Sequence, residues 1–220
     1  MLIAHRGIWC PRMENKVQGI RRANRCVGAV EVDVRLNSKG SLVLCHDWTL
    51  RDCSYNDTLK DLVEVKEPLH IILDLKPLGS FESTVLADMV SETVKCSRHT
   101  WELCSFDERC VDRLLTLDHG FPVGLISSGM TSHILDYPSV DFVSMAHDSV
   151  DEDDVKVLKG MGLRVYLWVA EQWREYPSQV DGLIKNYVYS DLRIPSASGK
   201  ETRGIRLDGN HDRFPVGSAP

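Results

Sequence analysis

Short apolar runs that end in ionisable residues recur along this 220-residue chain, and helical patterns fill most of the intervals between them. Leu2-Ile3-Ala4 leads into His5-Arg6-Gly7, Ala29-Val30 into Glu31-Val32-Asp33, and Leu42-Val43-Leu44-Cys45 into His46-Asp47. Ile71-Ile72-Leu73 repeats the pattern with Asp74-Leu75-Lys76. Further strand-like runs fall at 100–104, 122–126, 140–144, 163–170 and 180–184. Ser41–Cys45, beyond the Asn37-Ser38-Lys39-Gly40 turn, reads as a hairpin arm, so eight strands remain. One helical face is spelled by Val17, Ile20, Ala23 and Val27 within 15–27, and another by Val85, Leu86, Met89, Val90 and Val94 after Ser80. A third carries Val111, Leu114 and Leu115, and a short helix is expected after Ile126. The acidic start Asp151–Asp154 suits the positive end of a helix dipole, and Gly162 closes that helix. Strand–helix alternation predicts a parallel sheet. Eight repeats predict closure into a (β/α)8 TIM barrel, the α/β class.

Strand periodicity then selects the candidate site. Residues two apart on a strand share a side. Val30, Val32 and Val34 therefore face outward under helices, and Glu31 and Asp33 face inward. Asp74 and Lys76 share a side in the same way. Two histidines, an arginine and several carboxylates at strand ends describe a catalytic mouth rather than a charged surface. His147-Asp148, at another strand end, reads as plain loop.

Charge and cysteine usage bound the partners. A formal net charge of −6 argues against nucleic acid and leaves room for one small anionic substrate, because local bases and a cation reverse the field inside a cleft. Seven scattered cysteines without a C-x-x-C pair make neither a disulfide framework nor a zinc site, so a cytoplasmic location is expected. No apolar run reaches the roughly 18 residues of a membrane span. One domain is expected over 1–195. The Ser-, Gly- and Pro-rich stretch 196–220 reads as a disordered tail, so His211 and Asp212 within it are not candidates.

The order of these motifs resembles the glycerophosphodiester phosphodiesterase family over residues 2–185. It runs His5-Arg6-Gly7, Glu14-Asn15, Gly28-Ala29-Val30-Glu31-Val32-Asp33, the Gly40 turn, His46-Asp47 and Leu73-Asp74-Leu75-Lys76. Ser105-Phe106, Leu167-Trp168-Val169 and Val180–Ile184 complete it. The resemblance implies a barrel of the phospholipase-C-like phosphodiesterase type that releases glycerol 3-phosphate and an alcohol. His5 and His46 would be the acid–base pair. Glu31, Asp33 and Asp74 would hold one divalent cation, Mg²⁺ or Ca²⁺, and Arg6 and Lys76 would contact the phosphate. Trp168 reads equally as substrate wall and as barrel core, and is kept with the substrate-binding set. Asp47 reads equally as a direct participant and as a residue that only orients a neighbour.

The chain departs from that family twice. Asp74 stands where members carry Glu, one methylene longer, and the interval from His46 to Asp74 lacks the usual insertion. Two alternatives follow: a lysophospholipase D or sphingomyelinase D-like activity on lysolipids, and a phosphate-binding barrel without turnover. An exposed apolar rim at the mouth would favour the first, and none is evident in the sequence.

Overall fold

The computed structural model describes residues 1–7, 13–131, 134, 137, 139–170 and 175–186. Nine strands make one sheet: β1 Leu2–Ala4, β2 Ala29–Leu36, β3 Leu42–Leu44, β4 His70–Leu75, β5 Thr100–Ser105, β6 Val123–Ser127, β7 Phe142–Ala146, β8 Arg164–Trp168 and β9 Gly182–Lys185. All but β3 run parallel, and they close into a ring because β1 pairs with β2 on one side and β9 on the other. β3 lies outside the ring, antiparallel to the end of β2. The expected eight-stranded (β/α)8 barrel with one hairpin arm is therefore present. No helix among the described residues is long and apolar enough to cross a membrane. The expected tail at 196–220 lies outside the described residues, as does most of the short helix expected after β6.

Five α-helices are described: α1 Val17–Asn24, α2 Leu59–Val63, α3 Ser80–Val94, α4 Glu108–Thr116 and α5 Glu152–Gly160. α1 begins two residues later than its apolar pattern predicts. Asn15 takes a left-handed φ of 52° and Lys16 is extended, because the Asn15 side chain is committed elsewhere in the site. α2, in a stretch that reads as merely polar, is started by a Thr58–Asp61 capping box, the one sequence cue for it. The acidic start of α5 is likewise a capping box, with Asp151 accepting from the backbone of Asp153 and Asp154. β7 starts at Phe142 rather than Val140, since the Asp141 carboxylate is used to accept from Val123 N–H at 2.8 Å.

Strand alternation divides the core in two. Val30, Val32, Val34, Ile71 and Leu73 point out and pack with helix residues such as Leu86 and Val90. Ile3, Ala29, Ile72, Cys104, Ile126, Phe142, Tyr166 and Ile184 fill the barrel interior. Gly124 makes room for one of the two rings among these: a Cβ there would lie 2.2 Å from the Phe142 ring.

Near the N-terminal ends of the strands the interior becomes polar. Glu102 is 2 % exposed, and His70 Nε2 contacts it at 2.7 Å, Arg164 at 2.9 Å and the Tyr166 hydroxyl at 3.1 Å. Burial raises the Glu102 carboxyl, but the hydrogen bonds from His70 and Arg164 outweigh it and hold it below its ordinary value of 4.5. A carboxyl lowered on folding adds stability that is present above 4.5 and is lost as pH falls through the folded value. Glu102→Gln should therefore cost about 1–3 kcal/mol at neutral pH. In urea titrations, its deficit from wild type should shrink once pH drops below 4.5.

Candidate active site

The C-terminal ends of the barrel strands carry every residue singled out by strand parity. His5, Arg6, Glu31, Asp33, His46, Asp74, Lys76 and Trp168 all line one cleft of about 190 Å³, with Phe106, Ile72, Ile126 and Ile184 among its apolar walls. Catalytic groups of barrels of this type lie at this end because the βα loops converge there. Parallel register sets Asp33 beside Asp74, with Glu31 one step deeper on the same side. His147-Asp148 is not part of the cleft lining.

Glu31, Asp33 and Asp74 are all buried, and each offers an oxygen within 4.8 Å of the others. Burial, with the charges of Asp33 and Asp74, pushes the Glu31 carboxyl well above its usual range. Burial also raises Asp74, while the Lys76 ammonium opposes that shift. Three crowded acids of this kind are stabilised by positive charge. Lys76 Nζ supplies some, at 2.6 Å from Asp74 and 3.3 Å from Asp33. Arg6 Nε adds more at 3.4 Å from Asp33. Asp74 Oδ1 is nonetheless buried without a hydrogen-bond partner among the described residues. A hard cation with oxygen ligands fits this donor set and would engage that orphaned oxygen.

The backbone at the end of β1 is shaped around the acids. Arg6 adopts φ 54° and ψ 24°, which turns its N–H onto Glu31 at 2.8 Å and its guanidinium onto Glu14. Asn15, also left-handed, locks Asp33 from both sides. Its amide donates to the carboxylate at 2.8 Å, and its oxygen accepts from Asp33 N–H at 3.0 Å. Arg35 ties the neighbouring strand ends together by donating to the carbonyls of His46 at 2.6 Å and Lys76 at 2.9 Å.

Each histidine is oriented through Nδ1. His5 Nδ1 meets the Asn186 side-chain oxygen at 2.5 Å, and His46 Nδ1 meets Asp47 at 2.8 Å. With those nitrogens donating, both Nε2 atoms are left for proton exchange, that of His5 lying 3.8 Å from the Glu31 carboxylate. Burial, with the nearby Arg6 charge, lowers the His5 imidazole below 6.5, although the Asn186 bond opposes the shift. Hydrogen bonding from His46 lowers the Asp47 carboxyl and keeps it an acceptor. Trp168 is both wall and framework: it lines the cleft, donates to the Ser144 carbonyl at 3.1 Å and meets Phe106 edge-on at 5.5 Å. Lys76 sits 5.4 Å over the Phe106 ring.

Asn186 and Arg35 escaped the sequence reading, and Asn15 was read only as part of a motif. Asn186 has one usable cue, its place directly after an apolar strand. Arg35 shares the inward parity of Glu31 and Asp33, and Asn15 stands in the Glu14-Asn15 motif, but both act through partners that are distant in sequence or lie on other strands, so nothing local marks their roles.

Comparison of the coordinates with solved structures gives long alignments at low identity. A glycerophosphodiester phosphodiesterase from Parabacteroides distasonis aligns with a TM-score of 0.71 at 18% identity, covering 84% of this chain and 92% of that one. An Oleispira antarctica phosphodiesterase, solved with the product sn-glycerol-3-phosphate, aligns at 0.73 and 18%, over 85% and 93%. A protein from Galdieria sulphuraria described as a glycerophosphodiester phosphodiesterase aligns at 0.66 and 18%, over 86% and 94%. This chain shares their fold. No family model and no curated protein matches the sequence.

Removal of the Asn15 clamp tests the acidic centre. Asn15→Ala should weaken Mg²⁺ or Ca²⁺ binding by about 10–100-fold in titration calorimetry, since freeing a supported carboxylate typically costs that much.

Proposed function

We propose that this chain is a metal-dependent phosphodiesterase that hydrolyses glycerophosphodiesters to glycerol 3-phosphate and an alcohol. The observation that carries the proposal is the placing of two Nδ1-anchored histidines, His5 and His46, in one cleft with three buried carboxylates. A non-catalytic phosphate binder has no need of two proton-exchanging groups beside such a centre. The sn-glycerol-3-phosphate in the Oleispira antarctica protein supports the substrate class.

A phosphodiester is an anion and repels nucleophiles, so its oxygens must be neutralised before attack. A bound divalent cation held by Glu31, Asp33 and Asp74 would supply that neutralisation and polarise phosphorus. Lys76 and Arg6 flank the carboxylates and are placed to contact the remaining phosphate oxygens. His5, lowered by burial and so neutral near pH 7, is suited to take the proton from the attacking hydroxyl through Nε2. His46 is placed to deliver a proton to the departing alkoxide. When the substrate's own neighbouring hydroxyl attacks, the product is a cyclic phosphate. Water then opens it as the two histidines exchange roles. Phe106 and Trp168 meet edge-on as an apolar wall of the cleft.

The decisive experiment is release of glycerol 3-phosphate from a panel of glycerophosphodiesters, with Mg²⁺ or Ca²⁺ and with chelator. Wild type should release it only with the ion, and His46→Ala should fall by about 10²–10⁴-fold while remaining folded. Undiminished release by His46→Ala, or in chelator, would refute the assignment. Asp74→Glu should keep or raise activity if position 74 holds the ion; a loss of folding instead would mark it as a packing position.

A further inference from the structure

A second cavity, of about 390 Å³, adjoins the cleft, and one residue, His46, lines both. Its polar walls come from two places in the chain. Glu14 and Lys16 belong to the turn before α1, and Asp47, Tyr55 and Asn56 to the connection between β3 and α2. None of these five lines the cleft that holds the acidic centre. The position of the cavity assigns it a part of the substrate. A group that delivers a proton to a departing alkoxide must lie beside the leaving oxygen. The departing alcohol therefore lies on the His46 side of phosphorus, and the second cavity is the space that His46 borders there.

The lining carries both signs of charge and unused hydrogen-bonding capacity. The Lys16 ammonium donates to the Tyr55 carbonyl and has no carboxylate partner among the described residues, so it keeps further protons to donate. Glu14 and Asp47 each commit one oxygen, to Arg6 and to His46, and keep the other. Asn56 donates to the Leu50 carbonyl at 2.6 Å and retains its amide oxygen. Leu44 and Leu50 supply an apolar part that suits a carbon skeleton. An alcohol bearing a single charge meets both signs here and is matched by only one. Hydroxyl groups donate and accept, so a polyhydroxylated alcohol satisfies both. A quaternary ammonium is disfavoured on a second ground. It is recognised by open aromatic faces, but Tyr55 is the one Phe, Tyr or Trp in this lining, and Lys16 Nζ lies 5.0 Å over its ring.

We infer that the second cavity is the leaving-group subsite and selects diesters whose alcohol is a polyol or cyclitol over those that carry a quaternary ammonium. Lys16 sets the preference, by supplying donors to hydroxyl groups and by covering the Tyr55 ring. The inference rests on the phosphodiesterase reading and adds to it which alcohol departs.

The test compares kcat/KM of the full chain for glycerophosphoinositol and glycerophosphocholine, wild type beside Lys16→Met, with circular dichroism to confirm the fold. Wild type should prefer the inositol diester. Lys16→Met removes the donors and uncovers the Tyr55 ring, so the inositol-to-choline ratio should fall by about tenfold or more. The fall should combine a lower value for the inositol diester with a higher one for the choline diester. A wild type that treats both alike or favours choline would overturn the inference, as would a ratio unchanged in Lys16→Met. So would a parallel loss on both substrates in a folded variant, since Lys16 would then be structural. Binding of free myo-inositol, read by saturation-transfer NMR, separates the subsite from the reaction. A chain that hydrolyses neither diester but binds myo-inositol, and loses that binding in Lys16→Met, would refute the phosphodiesterase reading and leave the polyol site standing. In such a chain, binding that survives the substitution, or no binding, would overturn the site as well.

Discussion

Closure of the ring runs through the three residues of β1, which pair in parallel with β2 and with β9. The arrangement of the mouth depends on this pairing. It brings His5 next to Asn186 at the end of the last strand and Arg6 next to Glu31 at the second. A strand so short contributes few hydrogen bonds of its own. Its position is reinforced by the buried Ile3 and by the left-handed turn at Arg6, whose carbonyl accepts from Asn15 N–H at 2.9 Å. Loosening this junction would separate the first histidine from its acceptor and the acids from their clamp at once.

The electrostatics of the mouth follow from the same geometry. Parallel register sets the Asp33 and Asp74 carboxylates side by side at a depth where water screens them poorly. Arg6 and Lys76 offset part of that repulsion. The result is an acidic centre stable enough to fold yet incompletely satisfied, as the orphaned oxygen of Asp74 attests. The asparagine at position 15 and the arginine at position 35 hold this arrangement without entering the chemistry.

Much of this was legible in the sequence because period-two alternation is a local signal. Val30, Val32 and Val34 against Glu31 and Asp33 gave both the outer core and the inner acids before any coordinates. The eight strands were readable from similar runs, and His46 from its place after the hairpin arm. What escaped depends on contacts between distant residues. Asn15 acts on Asp33 and Asn186 on His5, across 18 and 181 residues respectively, and no spacing rule connects them. Helix α2 was missed because its five residues are too few to display a period, although its capping box was present.

The polar cluster of Glu102, His70, Arg164 and Tyr166, beneath the Phe142 and Tyr166 rings, has a bearing on traffic through the molecule. A barrel filled to that depth is a blind well rather than a tunnel. Under the proposed phosphodiesterase reading, substrate, water and both products would share one doorway, so the larger fragment would not drain away behind the smaller one. Residence at the mouth would then be part of the catalytic cycle, and whatever shapes the doorway would govern departure as much as arrival.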